Sequence, residues 1–252
     1  MVDGRKQIVE MVDERGGVIS SRKGIGGVVG RFYTNLYGSK VHVELDLKDE
    51  DEEFTSIMEG EVRKAIGEMK SGTSPGLDGI TAEALRWACN HLVSPLTRLF
   101  NDIISNTVIP GCFGDSKTIL LHKKGDPREI KNYRPISLLS VVYKCFTKVL
   151  NNRMQPQLDA AQDIEQAGFL ARRSTIDQIH AITQLIEKAN EYNFPLYLVF
   201  VDFEKAFDSI ETNAVWNSLQ SASIHPSVIK VLRKIYEAVS YTHLTLPTIC
   251  SV

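Results

Sequence analysis

The chain has 252 residues, of which 24% are charged, and a formal net charge of −2, values typical of an ordinary globular protein. So small a net charge does not by itself indicate a nucleic-acid partner, and no uninterrupted apolar run reaches the roughly 18 residues of a membrane span. The four cysteines are far apart and form no CxxC pair, which favours reduced thiols over a disulfide framework or a zinc site.

The first third of the chain is predicted to be helical, with irregular segments between the helices. Ser21 can cap a helix whose apolar residues recur at helical spacing, and residues 44–53 are acidic enough for an exposed linker. A second helix ends at residues 71–79, which hold too many helix-breaking residues to be regular. Thr81 can cap a third helix, and a fourth stops near Pro110.

A β-hairpin is predicted next. Residues 118–122 are apolar enough for a strand, the turn contains Gly125-Asp126-Pro127, and residues 133–136 return beside the first strand. Basic residues lie on both sides of the tip.

The last part of the chain alternates helices with one strand. A long helix follows Leu139, and Ser174 starts another, with Asp177 in its first turn and the isoleucines of that helix facing inward. These are Ile176, Ile179 and Ile182. Residues 196–201 are continuous and apolar, as expected of a buried central strand, and a helix begins at His225-Pro226.

A local surplus of positive charge lies in residues 117–153, which hold nine Lys and Arg against Asp126 and Glu129. Such a surplus can bind phosphate backbones. For an isolated basic segment, a solvated face on ordinary secondary structure is the alternative interpretation.

Asp202 stands at the end of the predicted central strand. A carboxylate in this position can hold Mg²⁺, an ion that keeps several waters and takes other ligands from substrate phosphates. From this residue alone, a cap for the following helix is an equally good interpretation.

Four blocks, in order, resemble motifs of the reverse transcriptases of non-LTR (LINE-type) retrotransposons. They are SPGLDGI at 74–80, HKKGD with NYRPISLL at 122–139, QAGF with RST at 166–175, and FVDFEKAFDSI at 200–210. The resemblance covers about residues 20–237. The second and fourth blocks argue against a group II intron-type enzyme, and the YRPISLL form argues for non-LTR elements over retroviruses.

The resemblance implies an α/β fold of the right-hand polymerase type, with helix-rich fingers and an incomplete palm sheet. Asp202 is then a catalytic carboxylate that binds Mg²⁺, with the carbonyl of Phe203 as a further ligand. Lys123 or Lys124, together with Arg134, would close over the triphosphate. Lys205, Ala206 and Phe207 would form part of the nucleotide site, and the ring of Phe207 would exclude a 2′-hydroxyl. The residue-based alternative for Phe207 is a core aromatic.

The third block implies contacts with the template and primer. The residues concerned are Gln166, Gly168, Phe169, Arg172 and Arg173. The sequence departs from the family here, because Leu170 stands where arginine is common and Arg172 where glycine is usual. A turn that needs φ > 0 would be strained by Arg172. Asp208 is expected to be structural, as a cap for the next helix.

The resemblance also implies a division of the chain. Residues 1–60 would be a connector, 61–198 the fingers region, and 199–238 the start of the palm. Residues 239–252 resemble translated sequencing-adapter sequence and are expected to be foreign and loosely packed. The family's YxDD motif is not among the printed residues, since no two acids are adjacent after Asp208. We therefore expect a fragment that is inactive by itself.

The leading hypothesis is an RNA-directed DNA polymerase domain that uses an RNA template, a DNA primer, dNTPs and Mg²⁺, in an element that occupies the cytoplasm and nucleus. No membrane contact is expected, and the oligomeric state is open. The alternative is a non-catalytic remnant that binds RNA or an RNA–DNA duplex through residues 117–153.

Overall fold

The structure is a computed structural model that describes residues 8–47, 54–170, 173–203, 206–208 and 210–242, with only the backbone described for 238–242. The helices in these ranges are α1 (Arg22–Tyr37), α2 (Glu59–Glu68), α3 (Ala82–Trp87), α4 (Cys89–Asn106), α5 (Gly111–Gly114), α6 (Val141–Ala161), α7 (Thr175–Glu191), α8 (Thr212–Ser221) and α9 (Pro226–Thr242). The strands are β1 (Met11–Val12), β2 (Val18–Ile19), β3 (Ser116–His122) and β4 (Tyr133–Leu139), with a 3-10 turn at Ile130–Asn132 before β4.

The predicted helix starts at Ser21, Thr81 and Ser174 are confirmed. The Ser21 hydroxyl accepts a hydrogen bond from the Gly24 amide, and Thr81 caps α3 in the same way through the Ala84 amide. At α7, the Asp177 carboxylate accepts hydrogen bonds from the backbone amide of Ser174 at 2.8 Å and from its hydroxyl. Each cap satisfies a backbone donor that the helix itself leaves without a partner.

The main core forms where helices α2, α4, α6 and α9 bury their apolar faces. Its centre holds Phe100 of α4 and Phe146 of α6, both fully buried, with ring centroids 5.0 Å apart. Phe113, from the short α5, packs against Phe146 at 6.2 Å. Truncating a buried phenylalanine of this kind to alanine costs about 3–5 kcal/mol.

A second core is separate from the first. It joins β1, α1 and the turn before β4, and its buried members are Met11, Ile25, Val28, Val29, Ile130 and Tyr133. Segments far apart in the sequence therefore meet here.

The predicted hairpin at 118–136 is confirmed. Strands β3 and β4 pair antiparallel, with Ile119 opposite Ile136 and Leu121 opposite Arg134. In the described part of the chain the sheets are this hairpin and the smaller pair β1–β2.

The predicted central strand at 196–201 is wrong. These residues have no strand conformation, and Tyr197 and Val199 are both 86% exposed. A strand needs neighbouring backbone to satisfy its amides and carbonyls, and no described segment pairs with this one. Its apolar sequence is therefore presented to solvent.

The inward orientation predicted for the isoleucines of α7 is wrong for Ile176 and Ile179, whereas Ile182 is partly buried. Ile176 is 73% and Ile179 is 62% exposed, and the one buried residue of α7 is Ala189, near its end. The amphipathic pattern is present, but among the described residues no element covers that face.

The exposed segment after α1 is hydrogen-bonded to the start and the middle of α8. The Glu211 carboxylate accepts hydrogen bonds from the amides of Lys40 and Val41, at 2.8 and 3.1 Å. Asn217 donates to the Glu44 carbonyl and accepts from the Asp46 amide. Residues 44–46 are exposed and 44–47 have no regular secondary structure, as predicted for a linker, although two of them are hydrogen-bonded to α8; residues 48–53 lie outside the described residues.

The N-cap of α8 is Glu211, so the cap predicted for Asp208 is not formed. Helix α9 continues to Thr242, so the backbone of residues 239–242 is helical, and 243–252 lie outside the described residues. None of the described helices combines the length and apolar character needed to cross a membrane.

Candidate nucleotide and nucleic-acid site

The turn between β3 and β4 presents the predicted phosphate-binding cations. Lys123 and Lys124 are exposed at the tip, and Arg134 is exposed near the start of β4, opposite Leu121. None of the three forms an ion pair with another described residue. The structure therefore places both predicted lysines and the predicted arginine on one hairpin.

The shape of this turn is set by backbone conformation and by Asn132. Gly125 has φ +90°, and a Cβ on it would lie 2.7 Å from the side-chain nitrogen of Asn132. That nitrogen donates to the Asp126 carbonyl at 3.0 Å, while the Lys123 amide donates to the Asn132 carbonyl at 2.9 Å. A residue other than glycine at 125 would be strained both by the positive φ and by the contact of its Cβ with the Asn132 side chain. Sequence reasoning missed Asn132, although it lies in the NYRPISLL block.

Asp126 closes the far side of the turn. Its carboxylate accepts from the Arg128 guanidinium at 2.8 Å and from the Arg128 amide at 2.9 Å. These hydrogen bonds lower the pKa of Asp126 to about 2, because they stabilise the ionised form. Arg128 is therefore engaged within the turn.

One face of the hairpin is apolar and exposed. Ile119, Leu121 and Ile136 are 40–50% exposed and lie on the same face as Arg134, because directly paired residues in an antiparallel sheet share a face. This face was missed from the sequence, although its signal, the alternation of apolar residues along each strand, was present.

The basic surplus of residues 117–153 is partly neutralised. Lys131 pairs with Glu129, Lys148 with Glu68, and Arg128 with Asp126. The exposed cations concentrate at the hairpin, and phosphate binding by the whole segment stays a prediction.

Arg153 is the most constrained cation of the segment. It forms a two-pronged ion pair with Glu61 at 2.6 and 2.7 Å and donates to the carbonyls of Thr55 and Ser56. Its guanidinium also lies 5.0 Å from the centre of the Phe54 ring. This side chain holds the segment before α2 against α6.

Asp202 is exposed and, like Phe203, lies outside any strand. The described residues contain no cluster of three or more His, Cys, Asp or Glu that could hold a metal ion. One carboxylate and one carbonyl do not fit a site for two Mg²⁺ ions, which need more negative charge to lie close together. Ala206 is exposed, and Lys205 lies outside the described residues.

The third and fourth sequence blocks meet at two aromatic rings. Phe169 and Phe207 contact edge to face at 5.5 Å, and they are 92% and 77% exposed. The core interpretation of Phe207 is therefore wrong. A predicted template-contacting residue and a predicted nucleotide-contacting residue thus lie side by side.

The loop that carries Phe169 is stabilised by its own polar groups. Gln166 donates to the Gly168 carbonyl at 3.1 Å, and the Arg173 guanidinium donates to the carbonyls of Ile164 and Gln166. The left-handed residue found here is Phe169, with φ +63°. The strain predicted at Arg172 lies outside the described residues.

Two tyrosines of α1 also lie near this region and were missed from the sequence. Tyr33 and Tyr37 stack at 5.7 Å. Burial raises the pKa of Tyr37 to about 12, and the charge of Asp208 contributes to the shift. Burial raises the pKa of Tyr33 as well, with charge effects from Tyr37 and Asp208. Helix α1 therefore lies close enough to Asp208 for their charges to interact.

The SPGLDGI block is placed against the end of the hairpin. A Cβ on Gly76 would lie 2.7 Å from the backbone of Leu139 and Ser140, where β4 leads into α6. Glycine is required here by close approach of the two backbones, and the next turn uses φ +68° at Gly79.

Comparison with known proteins identifies the family. Residues 121–248 match the sequence model of the family described as "Reverse transcriptase (RNA-dependent DNA polymerase)". The chain belongs to the reverse transcriptase family. Membership implies the right-hand polymerase fold, and the helix-rich structure with few strands is compatible with it.

Similar proteins come from transposable elements. The "Transposon TX1 uncharacterized 149 kDa protein" of Xenopus laevis is 29% identical over 92% of this chain and 19% of that protein. The R2 Pol polyprotein of Nasonia vitripennis is 28% identical over 59% of this chain and 14% of that protein. The RNA-directed DNA polymerase from mobile element jockey of Drosophila melanogaster is 26% identical over 60% of this chain and 17% of that protein.

These matches confirm the assignment to the reverse transcriptases of non-LTR retrotransposons. The chain spans about a fifth or less of the length of these relatives. The family match runs to residue 248 and so includes most of residues 239–252. The foreign origin of that segment stays a prediction, as do the boundaries at 60 and 198.

Proposed function

We propose that this chain is part of an RNA-directed DNA polymerase that copies the RNA of a non-LTR retrotransposon into DNA. The observation that carries the proposal is the β3–β4 hairpin, which presents Lys123, Lys124 and Arg134 to solvent with no ion pair among the described residues. Cations held this way can bind a triphosphate without first breaking another contact.

The three cations have different parts in this proposal. Arg134 can bind two phosphate oxygens at once through its planar guanidinium, whereas each lysine acts as a compact charge. The apolar face beside Arg134, made by Ile119, Leu121 and Ile136, would cover the incoming base. Exposed Phe207 is available to contact the sugar and to exclude a 2′-hydroxyl.

The metal chemistry is proposed for the complete enzyme. There Asp202 would supply one carboxylate, and the carbonyl of Phe203 one ligand, to divalent metal ions, which the family generally uses. Mg²⁺ is the proposed ion. The described residues do not complete such a site, so we propose that residues 1–252 alone bind substrates without joining nucleotides.

The proposal is tested by the binding of dATP, measured by equilibrium dialysis in a magnesium buffer. We expect Lys123→Gln, Lys124→Gln and Arg134→Gln each to weaken binding, the arginine variant by roughly tenfold or more, since hydrogen bonds to charged groups contribute about 1.5–3 kcal/mol. Lys131→Gln is the matched control, because Lys131 is exposed nearby but paired with Glu129 at 3.0 Å. Equal affinities for all four variants would contradict the assignment.

The second candidate is a non-catalytic remnant that binds RNA or an RNA–DNA duplex. The concentration of exposed cations on the hairpin also supports it. Its distinguishing behaviour would be duplex binding that weakens steeply as salt rises, with no dependence on dNTPs. Location in the cytoplasm and nucleus is proposed for either candidate, since the element's RNA and DNA are found there.

A further inference from the structure

The small hairpin β1–β2 packs against the turn that carries Lys123 and Lys124. Met11, in β1, has no exposed surface and belongs to the second core, together with Ile130 and Tyr133 from the segment that closes the turn. A fully buried methionine near the start of the described chain, far in sequence from its partners, indicates a specific docking contact.

A backbone hydrogen bond also joins β1 to the β3–β4 turn. The Val12 amide donates to the Arg128 carbonyl at 2.8 Å, on the edge of β1 that does not pair with β2. The charge of Glu10 also favours the protonated form of Arg128, behind the larger effect of Asp126. The turn is thus held from the N-terminal side by packing, by a hydrogen bond and by charge.

Helix α1 completes the support. Its buried residues Ile25, Val28 and Val29 form the other wall of the second core, and α1 contacts the 3-10 turn at Ile130–Asn132. Asn132 is the residue whose side chain fixes the shape of the lysine turn. The chain of contacts therefore runs from Met11 and α1, through Ile130 and Asn132, to Lys123.

We propose that β1–β2 and α1 brace the β3–β4 turn, and that Met11 is a positioning residue for Lys123 and Lys124. This role rests on the proposed binding of a triphosphate by those lysines. In this proposal residues 8–37 contribute to the nucleotide site by positioning its lysines, and do not only connect it to preceding residues. The contact crosses the domain boundary predicted at residue 60.

The brace is separable from the rest of the fold. The main core, around Phe100 and Phe146, shares no buried residue with the second core. Loosening Met11 is therefore expected to release the turn while α4 and α6 stay folded, because local openings need not involve the whole structure.

Amide hydrogen exchange tests the brace directly. In Met11→Ala we expect the amides of Lys123 and Asn132 to exchange at least roughly tenfold faster than in the parent chain, with the amides of Phe100 and Phe146 unchanged. Met11→Leu, which conserves apolar volume, is expected to restore protection. Val9→Ala is the matched control, because Val9 lies two residues away and is 73% exposed.

A second variant separates bracing from general stability. Val12→Pro removes the amide that donates to the Arg128 carbonyl and leaves Met11 in place, and it is expected to speed exchange at the same two amides. Unchanged exchange at Lys123 and Asn132 in both variants would overturn the brace. Loss of protection at Phe100 and Phe146 in both variants would overturn it too, by showing that the effect is global.

Triphosphate binding supplies the functional readout. If the parent chain binds dATP, Met11→Ala is expected to bind it several-fold more weakly, because the apparent affinity falls with the fraction of molecules whose β3–β4 turn is in the binding-competent conformation. Met11→Leu is expected to recover the affinity of the parent chain. Undiminished affinity in Met11→Ala would overturn the positioning role. If the parent chain binds no dATP, the proposed function and the positioning role both fail, while the exchange data still decide the brace.

Discussion

At the scale of single residues, the structure separates cations that hold the fold from cations that are available to bind. Arg153 and Lys148 belong to the same basic segment as Lys123, but both are paired with acids of α2. Counting charges along the sequence cannot make this distinction, because Glu61 and Glu68 lie eighty or more residues before their partners.

Arg153 is predicted to contribute to stability. Arg153→Ala leaves the Glu61 carboxylate and the carbonyls of Thr55 and Ser56 without their donor, which we expect to cost about 2–3 kcal/mol in urea unfolding. The matched control is Lys131→Gln, whose exposed pair is expected to contribute less than about 1 kcal/mol. Equal unfolding midpoints for the two variants would show that the Arg153 contacts do not stabilise the fold.

The order of the lysine turn is predicted to depend on pH through Asp126. Hydrogen bonding to Arg128 lowers the Asp126 pKa from 3.8 to about 2. A group whose pKa is lowered by folding stabilises the fold above its unfolded pKa, and that contribution disappears as pH falls through the folded value. We expect the Arg128 amide resonance to shift between pH 4 and pH 2, and the shift to be absent in Asp126→Asn.

At the scale of elements, the segment 194–203 and helix α7 are apolar without being covered. Phe200 is 79% and Val201 is 73% exposed, and the segment is rich in β-forming residues. An extended apolar segment with free backbone groups is a common starting point for intermolecular strand pairing.

The isolated chain is therefore predicted to self-associate through this segment. Phe200→Lys is expected to raise the monomer fraction in sedimentation at micromolar concentration, because a charge opposes strand stacking. Its control is Trp87→Lys, since Trp87 is an equally exposed aromatic residue, at 87%, that belongs to α3 and not to the segment. If Trp87→Lys suppresses association as strongly as Phe200→Lys, the segment is not its cause.

At the scale of the whole molecule, the chain combines two cores with a part of the polymerase fold. The main core unites helices α2, α4, α6 and α9, and the second core joins β1–β2 and α1 to the β3–β4 hairpin. The region around Asp202 belongs to neither core, and Asp202 is accordingly exposed.

Residues 1–252 alone are predicted not to extend a primer. The measurement uses an RNA template, a DNA primer, all four dNTPs and Mg²⁺, with the polymerisation of labelled dNTP as the readout. We expect no product because the described residues contain no group of three or more His, Cys, Asp or Glu that could hold the metal ions. Extension that disappears in Asp202→Asn would show that this chain completes a catalytic site.

Much of the local structure and the family could be predicted from the sequence. The caps at Ser21, Thr81 and Ser174 and the hairpin at β3–β4 depend on residues close together in the chain, where hydrogen bonding and strand alternation leave a readable pattern. The four ordered motifs were enough to identify a non-LTR reverse transcriptase, and the comparisons agree.

Only the tertiary structure decided which predicted elements and charges find partners. Residues 196–201 have the composition of a central strand, but a strand forms only where neighbouring backbone is present to pair with it. The pairing of Arg153 with Glu61 and the docking of Met11 on the lysine turn join residues about a hundred positions apart. Sequence patterns act over one or two helical turns, so contacts of this range are set by how the elements pack.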